Sequence, residues 1–126
     1  MNEIKYYICE HCGNLHEVVN DGKVVPICCG QKMKKLEAGV VEASHEKHIP
    51  VVSVDGDSVK IEIGSVAHPM SEEHSILWVS LKTDKGVYRK HLEVGAPPVV
   101  SFALTDEKPL AAYAYCNLHG LWKQDI

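Results

Sequence analysis

Four of the five cysteines, at 9, 12, 28 and 29, crowd the start of the chain, and eight histidines are spread from 11 to 119. Cys9-Glu10-His11-Cys12-Gly13 has the form of a metal knuckle. Two residues between the cysteines let both sulfurs face one ion, and the glycine tolerates the tight backbone beyond them. Cys28-Cys29-Gly30 offers two more sulfurs. Neighbouring side chains normally diverge, so using both strains a tetrahedral site without preventing it. Sulfur-only tetrahedral coordination suits iron or zinc.

Three later fragments carry a different donor set: Glu46-Lys47-His48-Ile49-Pro50, then His68-Pro69-Met70 with Ser71-Glu72-Glu73-His74, then Cys116-Asn117-Leu118-His119-Gly120. Pro50 and Pro69 stiffen the chain beside two of the histidines, which helps to preorganise a site. Taken singly, such a histidine is ordinarily a surface or satisfied core residue, and a cysteine like Cys116 is ordinarily buried and inert. His91 lies with Arg89 and Glu93 on a solvent face, and His11, His16 and His45 have no evident partner.

These donors need a scaffold, and 126 residues allow one ordinary domain or two small ones. A boundary falls near Leu36–Val40, after the lysine-rich Gln31-Lys32-Met33-Lys34-Lys35, which divides the chain into residues 1–37 and 38–126. The first lobe is too small for a core alone to suffice and needs a metal or a partner subunit. The second part reads as strands. Val59, Ile61 and Ile63 share a face opposite Lys60 and Glu62, after a turn at Val54-Asp55-Gly56-Asp57. In the run 76–83, Leu77, Val79 and Leu81 form one apolar face, with Ile76 and Trp78 on the other. Runs at 87–94, 99–104 and 111–116 complete the set. No long 3.6-residue periodicity is present. The fold class is all-β, with an antiparallel sandwich as its main body.

Thirteen basic against seventeen acidic side chains give a net charge of −4, which argues against a nucleic-acid binder. The longest apolar run, Leu110–Cys116, is too short to span a bilayer, so no membrane is expected. Met1-Asn2-Glu3-Ile4-Lys5 has no apolar signal core, so the expected location is cytoplasmic. In that reducing compartment clustered thiols are better read as metal ligands than as disulfides.

Taken together, these motifs resemble the desulfoferrodoxins, the two-iron class of superoxide reductase, over essentially the whole chain. Cys9, Cys12, Cys28 and Cys29 match the family's desulforedoxin-like iron site, and Glu46-Lys47-His48-x-Pro50 matches its most distinctive signature. His68, His74, Cys116 and His119 match the remaining ligands in order. The resemblance implies two iron ions per chain. One is held by the four cysteines. The other is held by the imidazoles of His48, His68, His74 and His119 and the axial thiolate of Cys116, with one coordination position open. It also implies a small desulforedoxin-like lobe leading into an immunoglobulin-like sandwich, a homodimer, and a small electron donor such as a rubredoxin.

The reaction implied is one-electron reduction of superoxide, with two protons, to hydrogen peroxide, for oxygen detoxification. The thiolate pushes electron density towards the bound anion, as thiolate does in haem enzymes. Lys47 is the cation that focuses the field for an anionic substrate despite the overall negative charge. Glu46 is implied to occupy the open position on oxidised iron and to leave on reduction. Whether the four-cysteine iron relays electrons or staples the lobe is left open by the sequence. Two other readings make different demands. A zinc ribbon fused to a partner-binding sandwich would be colourless, and an electron carrier with two closed iron sites would bind no small anion.

Overall fold

The alternation at 58–63 becomes a strand whose Val59, Ile61 and Ile63 are fully buried while Lys60 and Glu62 face water. It belongs to a computed structural model that describes residues 3–40, 43 and 45–126. The chain is nearly all β and falls into two units, Met1–Glu37 and Ala38–Ile126.

The first unit is a set of short strands: β1 (Tyr6–Ile8), β2 (Leu15–Glu17), β3 (Ile27–Cys28), β4 (Gln31–Lys32) and β5 (Lys34–Lys35). They form an antiparallel sheet of order β2-β1-β5 and a separate β3–β4 ladder. Among the described residues, Tyr6, Cys9 and Met33 are its buried apolar ones, whereas Val19, Val24 and Ile27 are largely exposed. Such a core is too thin to hold the lobe without help.

The second unit begins with a single helical turn, α1 (His45–His48). Seven strands come after it: β6 (Pro50–Asp55), β7 (Ser58–Ile63), β8 (Ile76–Thr83), β9 (Val87–His91), β10 (Val99–Ala103), β11 (Pro109–Cys116) and β12 (Gly120–Asp125). They make a three-stranded sheet, β10-β7-β6, and a four-stranded sheet, β12-β11-β8-β9, all antiparallel. This is the immunoglobulin-like sandwich. Val59, Ile61 and Ile63 of β7, Val79 and Leu81 of β8, Val100 and Phe102 of β10, and Ala112, Ala114 and Cys116 of β11 form one buried cluster. Cys116 is therefore a core residue and a strand terminus at once.

Three details depart from the sequence expectation. Ile76, not Leu77, is buried at the start of β8, and Leu77 is 40% exposed. The cause is a register shift: Tyr115 pairs with Trp78 but Cys116 pairs with Ile76, so Leu77 is skipped and the inner face changes parity. The run expected to reach Val94 stops at His91, where Ala96 N–H bonds Glu93 O and Gly95 adopts φ +86° to turn the chain. Strands β6 and β12 lie outside the runs that the sequence marks as strands. Their burial does not alternate: β6 is exposed beyond Val52, and β12 buries the adjacent Leu121 and Trp122 and is exposed from Gln124.

Candidate metal centres

In the first unit the Sγ atoms of Cys9, Cys12, Cys28 and Cys29 lie within 4.8 Å of one another. Cys12 and Cys28 sulfurs are 3.6 Å apart, and those of Cys28 and Cys29 are 3.9 Å apart. The adjacent cysteines converge because Cys29 takes φ +53°, a left-handed conformation that costs a non-glycine residue about 1 kcal/mol or more. Gly13 at φ +84° closes the knuckle, with its N–H bonded to Cys9 O at 2.8 Å. The Cys12 N–H points at Cys9 Sγ (3.5 Å), and the Asn14 amide points at Cys28 Sγ (3.7 Å). Backbone N–H groups of Cys12 and His11 hold the Cys9 thiol down to about 6. Hydrogen bonding from Cys12 and Cys28, with burial as a smaller cause, pushes Cys29 up to about 12. Four thiols so close cannot all ionise without a cation among them, which fits a thiolate-bound metal.

In the second unit the donor atoms of His48, His68, His74 and Cys116 also lie within 4.8 Å of one another. His119 joins them: its Nδ1 is 3.1 Å from His48 Nε2 and 3.9 Å from Cys116 Sγ. His48 Nε2 is likewise 3.1 Å from His68 Nε2. The donors come from three stretches of the chain. His48 ends α1, His68 and His74 lie on the irregular β7–β8 connection, Cys116 ends β11, and His119 sits in the turn before β12. The skipped residue Leu77 lies where Cys116 meets β8.

The electrostatics suit a cation. His68 Nδ1 is 2.7 Å from Pro69 O, which fixes its proton on Nδ1 and leaves Nε2 as a lone pair facing the cluster. Burial, more than its imidazole neighbours, lowers its pKa to about 4. Burial also lowers that of His74, with smaller contributions from His119 and the Lys47 ammonium. His74 Nε2 is buried with no hydrogen-bond partner. Neutral imidazoles around an orphaned ring nitrogen, beside a buried thiol, fit an ion such as iron.

Glu46 and Lys47 are exposed on α1, directly before buried His48. Among the other histidines, His91 is exposed, and His45 meets the Trp122 ring edge-on at 5.3 Å.

The desulfoferrodoxin profile matches residues 40–125, and that of the desulfoferrodoxin N-terminal domain matches residues 1–36. The chain belongs to the desulfoferrodoxin family. This desulfoferrodoxin is 43% identical to the desulfoferrodoxin homolog of Archaeoglobus fulgidus over 124 residues, 98% of each chain. It is 41% identical to the desulfoferrodoxin of Nitratidesulfovibrio vulgaris over 124 residues, again 98% of each. The crystal structure of the superoxide reductase from Treponema pallidum is similar to it with a TM-score of 0.82 at 43% identity, covering 98% of this chain and 100% of that one.

Three residues around the second cluster of this desulfoferrodoxin carry no ligand signal. Trp122 packs on His48, Asn117 bonds the backbone on both sides of His74, and Gly64 lies against the carbonyls of Glu46 and Lys47. Asn117 stands inside the Cys116–His119 fragment, and Gly64 comes directly after a strong strand, so both positions are visible in the sequence, but their contacts are not.

Proposed function

We propose that this desulfoferrodoxin is a superoxide reductase, converting superoxide, one electron and two protons to hydrogen peroxide. The observation that carries the reading is the convergence of His48, of His68 and His74, and of Cys116 and His119 from three separate stretches of the chain. These residues would hold an iron that supplies the electron, and Cys9, Cys12, Cys28 and Cys29 would hold a second iron as a further redox centre.

The chain's own groups do the rest. Cys116 Sγ lies buried in the hydrophobic core, where the low dielectric would strengthen its charge donation to a bound metal. Lys47 is exposed, and its charge is felt at His74, as expected of a cation that draws an anion towards the imidazoles. Glu46, its neighbour, is the carboxylate that takes the place of departing product.

Residues 1–37 act as the desulforedoxin-like iron domain and 38–126 as the catalytic domain. Electrons come from a small donor protein such as a rubredoxin. The exposed Val19, Val24 and Ile27 of the thin first lobe support a homodimer whose partner covers them. No helix among the described residues is long and apolar enough to cross a membrane, and the setting proposed is the cytoplasm.

The test is metal analysis with visible spectra before and after a reductant, and then addition of superoxide. Two irons per chain, bleaching on reduction, and one peroxide per superoxide consumed are expected. Zinc in the first site and a colourless second one would favour the ribbon reading. Oxygen evolved alongside peroxide would mark a dismutase instead.

A further inference from the structure

His74 is the ligand candidate with the least scaffold of its own. It lies in a stretch of bends, outside any strand or helix, and its Nε2 is buried without a hydrogen-bond partner. On the near side, Ser71 braces it. The His74 N–H meets Ser71 Oγ at 3.2 Å, and His74 O accepts from the Ser71 N–H at 2.9 Å. The residues on either side of His74 are held instead by one side chain from another part of the fold.

That side chain is Asn117. Its Oδ1 accepts the Ser75 N–H at 3.0 Å, and its Nδ2 donates to Glu73 O at 2.9 Å. Its own backbone N–H donates to Ser75 O at 3.2 Å. The roles of the two amide atoms are fixed by these partners, since Ser75 N–H can only donate and Glu73 O can only accept. Three hydrogen bonds therefore bracket His74, and all three originate in the residue that comes after Cys116.

We propose that Asn117 is a positioning residue that fixes the His74 imidazole relative to the Cys116 sulfur, by clamping the Glu73 carbonyl and the Ser75 amide. The proposal rests on the superoxide reductase reading of the same centre. Its physical basis is that a mobile ligand loop must be ordered each time metal binds. A clamp already made in the folded chain removes that cost from the binding step. Asn117 itself lies at the surface, so replacing it opens no cavity in the core.

The test uses the full chain loaded with Fe2+ and then oxidised. Three quantities are measured: the iron each centre retains against a chelator, the ferric absorption of the His–Cys centre, and unfolding by circular dichroism. Asn117→Ala is expected to release iron from the His–Cys centre roughly ten- to hundredfold more readily. The thiolate absorption of that centre should shift, while the four-cysteine iron keeps its spectrum. Asn117→Asp keeps the shape and the acceptor for Ser75 N–H but loses the donor to Glu73 O, so it should fall between wild type and Ala.

A merely structural Asn117 would lower the unfolding midpoint and leave absorption and iron retention unchanged, and that result overturns the proposal. If Asn117→Ala does not fold, Asn117→Asp decides alone: wild-type retention and absorption in that variant reject the clamp. A wild-type chain that binds no iron at the His–Cys centre rejects the underlying functional reading, a distinct outcome visible before any variant is made.

Discussion

The indole of Trp122 lies flat against the imidazole of His48, ring centroids 4.8 Å apart and planes 28° from parallel. The same indole donates its N–H to His119 O at 3.1 Å. One fully buried side chain on β12 thus backs two members of the imidazole cluster, one through its ring face and one through its polar edge. Trp122→Phe keeps a ring against His48 and leaves the His119 carbonyl without its donor, a loss of about 1 kcal/mol. Trp122→Ala removes the whole packing surface and should cost about 3–5 kcal/mol. Urea unfolding of the two variants checks the order. Equal losses would mean that the ring face contributes nothing.

Gly64 is where the turn after β7 touches α1. It has φ +87°, and a Cβ there would overlap Val66 O and sit 2.7 Å from Lys47 O and 2.8 Å from Glu46 O. All three are backbone atoms and cannot swing aside. The same turn holds the helix by hydrogen bonds, from Val66 N–H (3.0 Å) and Ser65 Oγ (3.2 Å) to Glu46 O, and from Gly64 N–H to Ile49 O (3.2 Å). Gly64→Ala should therefore cost on the order of 1–3 kcal/mol from backbone strain alone. It should also slow the reaction with superoxide by moving Lys47. Ser65→Ala, losing one exposed bond, should cost about 1 kcal/mol or less. Thermal unfolding and stopped-flow rates measure both effects. A Gly64→Ala chain as stable as wild type would remove the steric argument.

The ligand types were legible because metal chemistry restricts them to few residues. Cys9-x-x-Cys12 has a spacing that suits one ion, the later His and Cys donors stand out only together through the family resemblance, and the strict alternation of 58–63 announces its strand. The hidden features were properties of pairing, not of sequence. Nothing local marks Leu77 as the residue that β11 skips, since the run 76–83 is apolar on both faces at its start. Strands β6 and β12 lack the regular alternation of buried and exposed residues that makes β7 conspicuous. Trp122 reads as an ordinary core aromatic until β12 is placed beside β11.

Burial lowers the His68 pKa to about 4, against 6.5 for a free imidazole, and the bond from Nδ1 to Pro69 O only partly opposes it. His74 shifts in the same direction. Above pH 6.5 neither folded nor unfolded chain binds a proton at His68. Between 6.5 and about 4 the unfolded chain binds it and the folded chain does not, so stability falls as pH falls through that window. Urea midpoints of the metal-free chain at pH 7.5, 6, 5 and 4 should decline in that order, most of the loss lying below 6.5. The same protons compete with metal, so iron should leave the His–Cys centre over the same range. Midpoints that rise on acidification would contradict the sign.

Lys47 and Glu46 are adjacent and both exposed, yet their expected effects separate in time. The chain carries a net charge of −4, so an approaching anion is repelled at long range and needs a local cation. Removing Lys47 withdraws about 1 kcal/mol of attraction at contact distances in a watery environment, equivalent to roughly a fivefold slower encounter. Lys47→Ala should therefore slow the reaction of the reduced protein with superoxide and flatten its dependence on ionic strength, because the screened term is gone. Glu46→Ala should leave that first encounter intact, or quicken it slightly, because a negative charge has been removed. Its effect should emerge only once product has departed, in the absorption of the oxidised centre. Pulse radiolysis across a range of salt concentrations resolves the two. A Lys47→Ala rate equal to wild type at low salt would show that the attraction arises elsewhere.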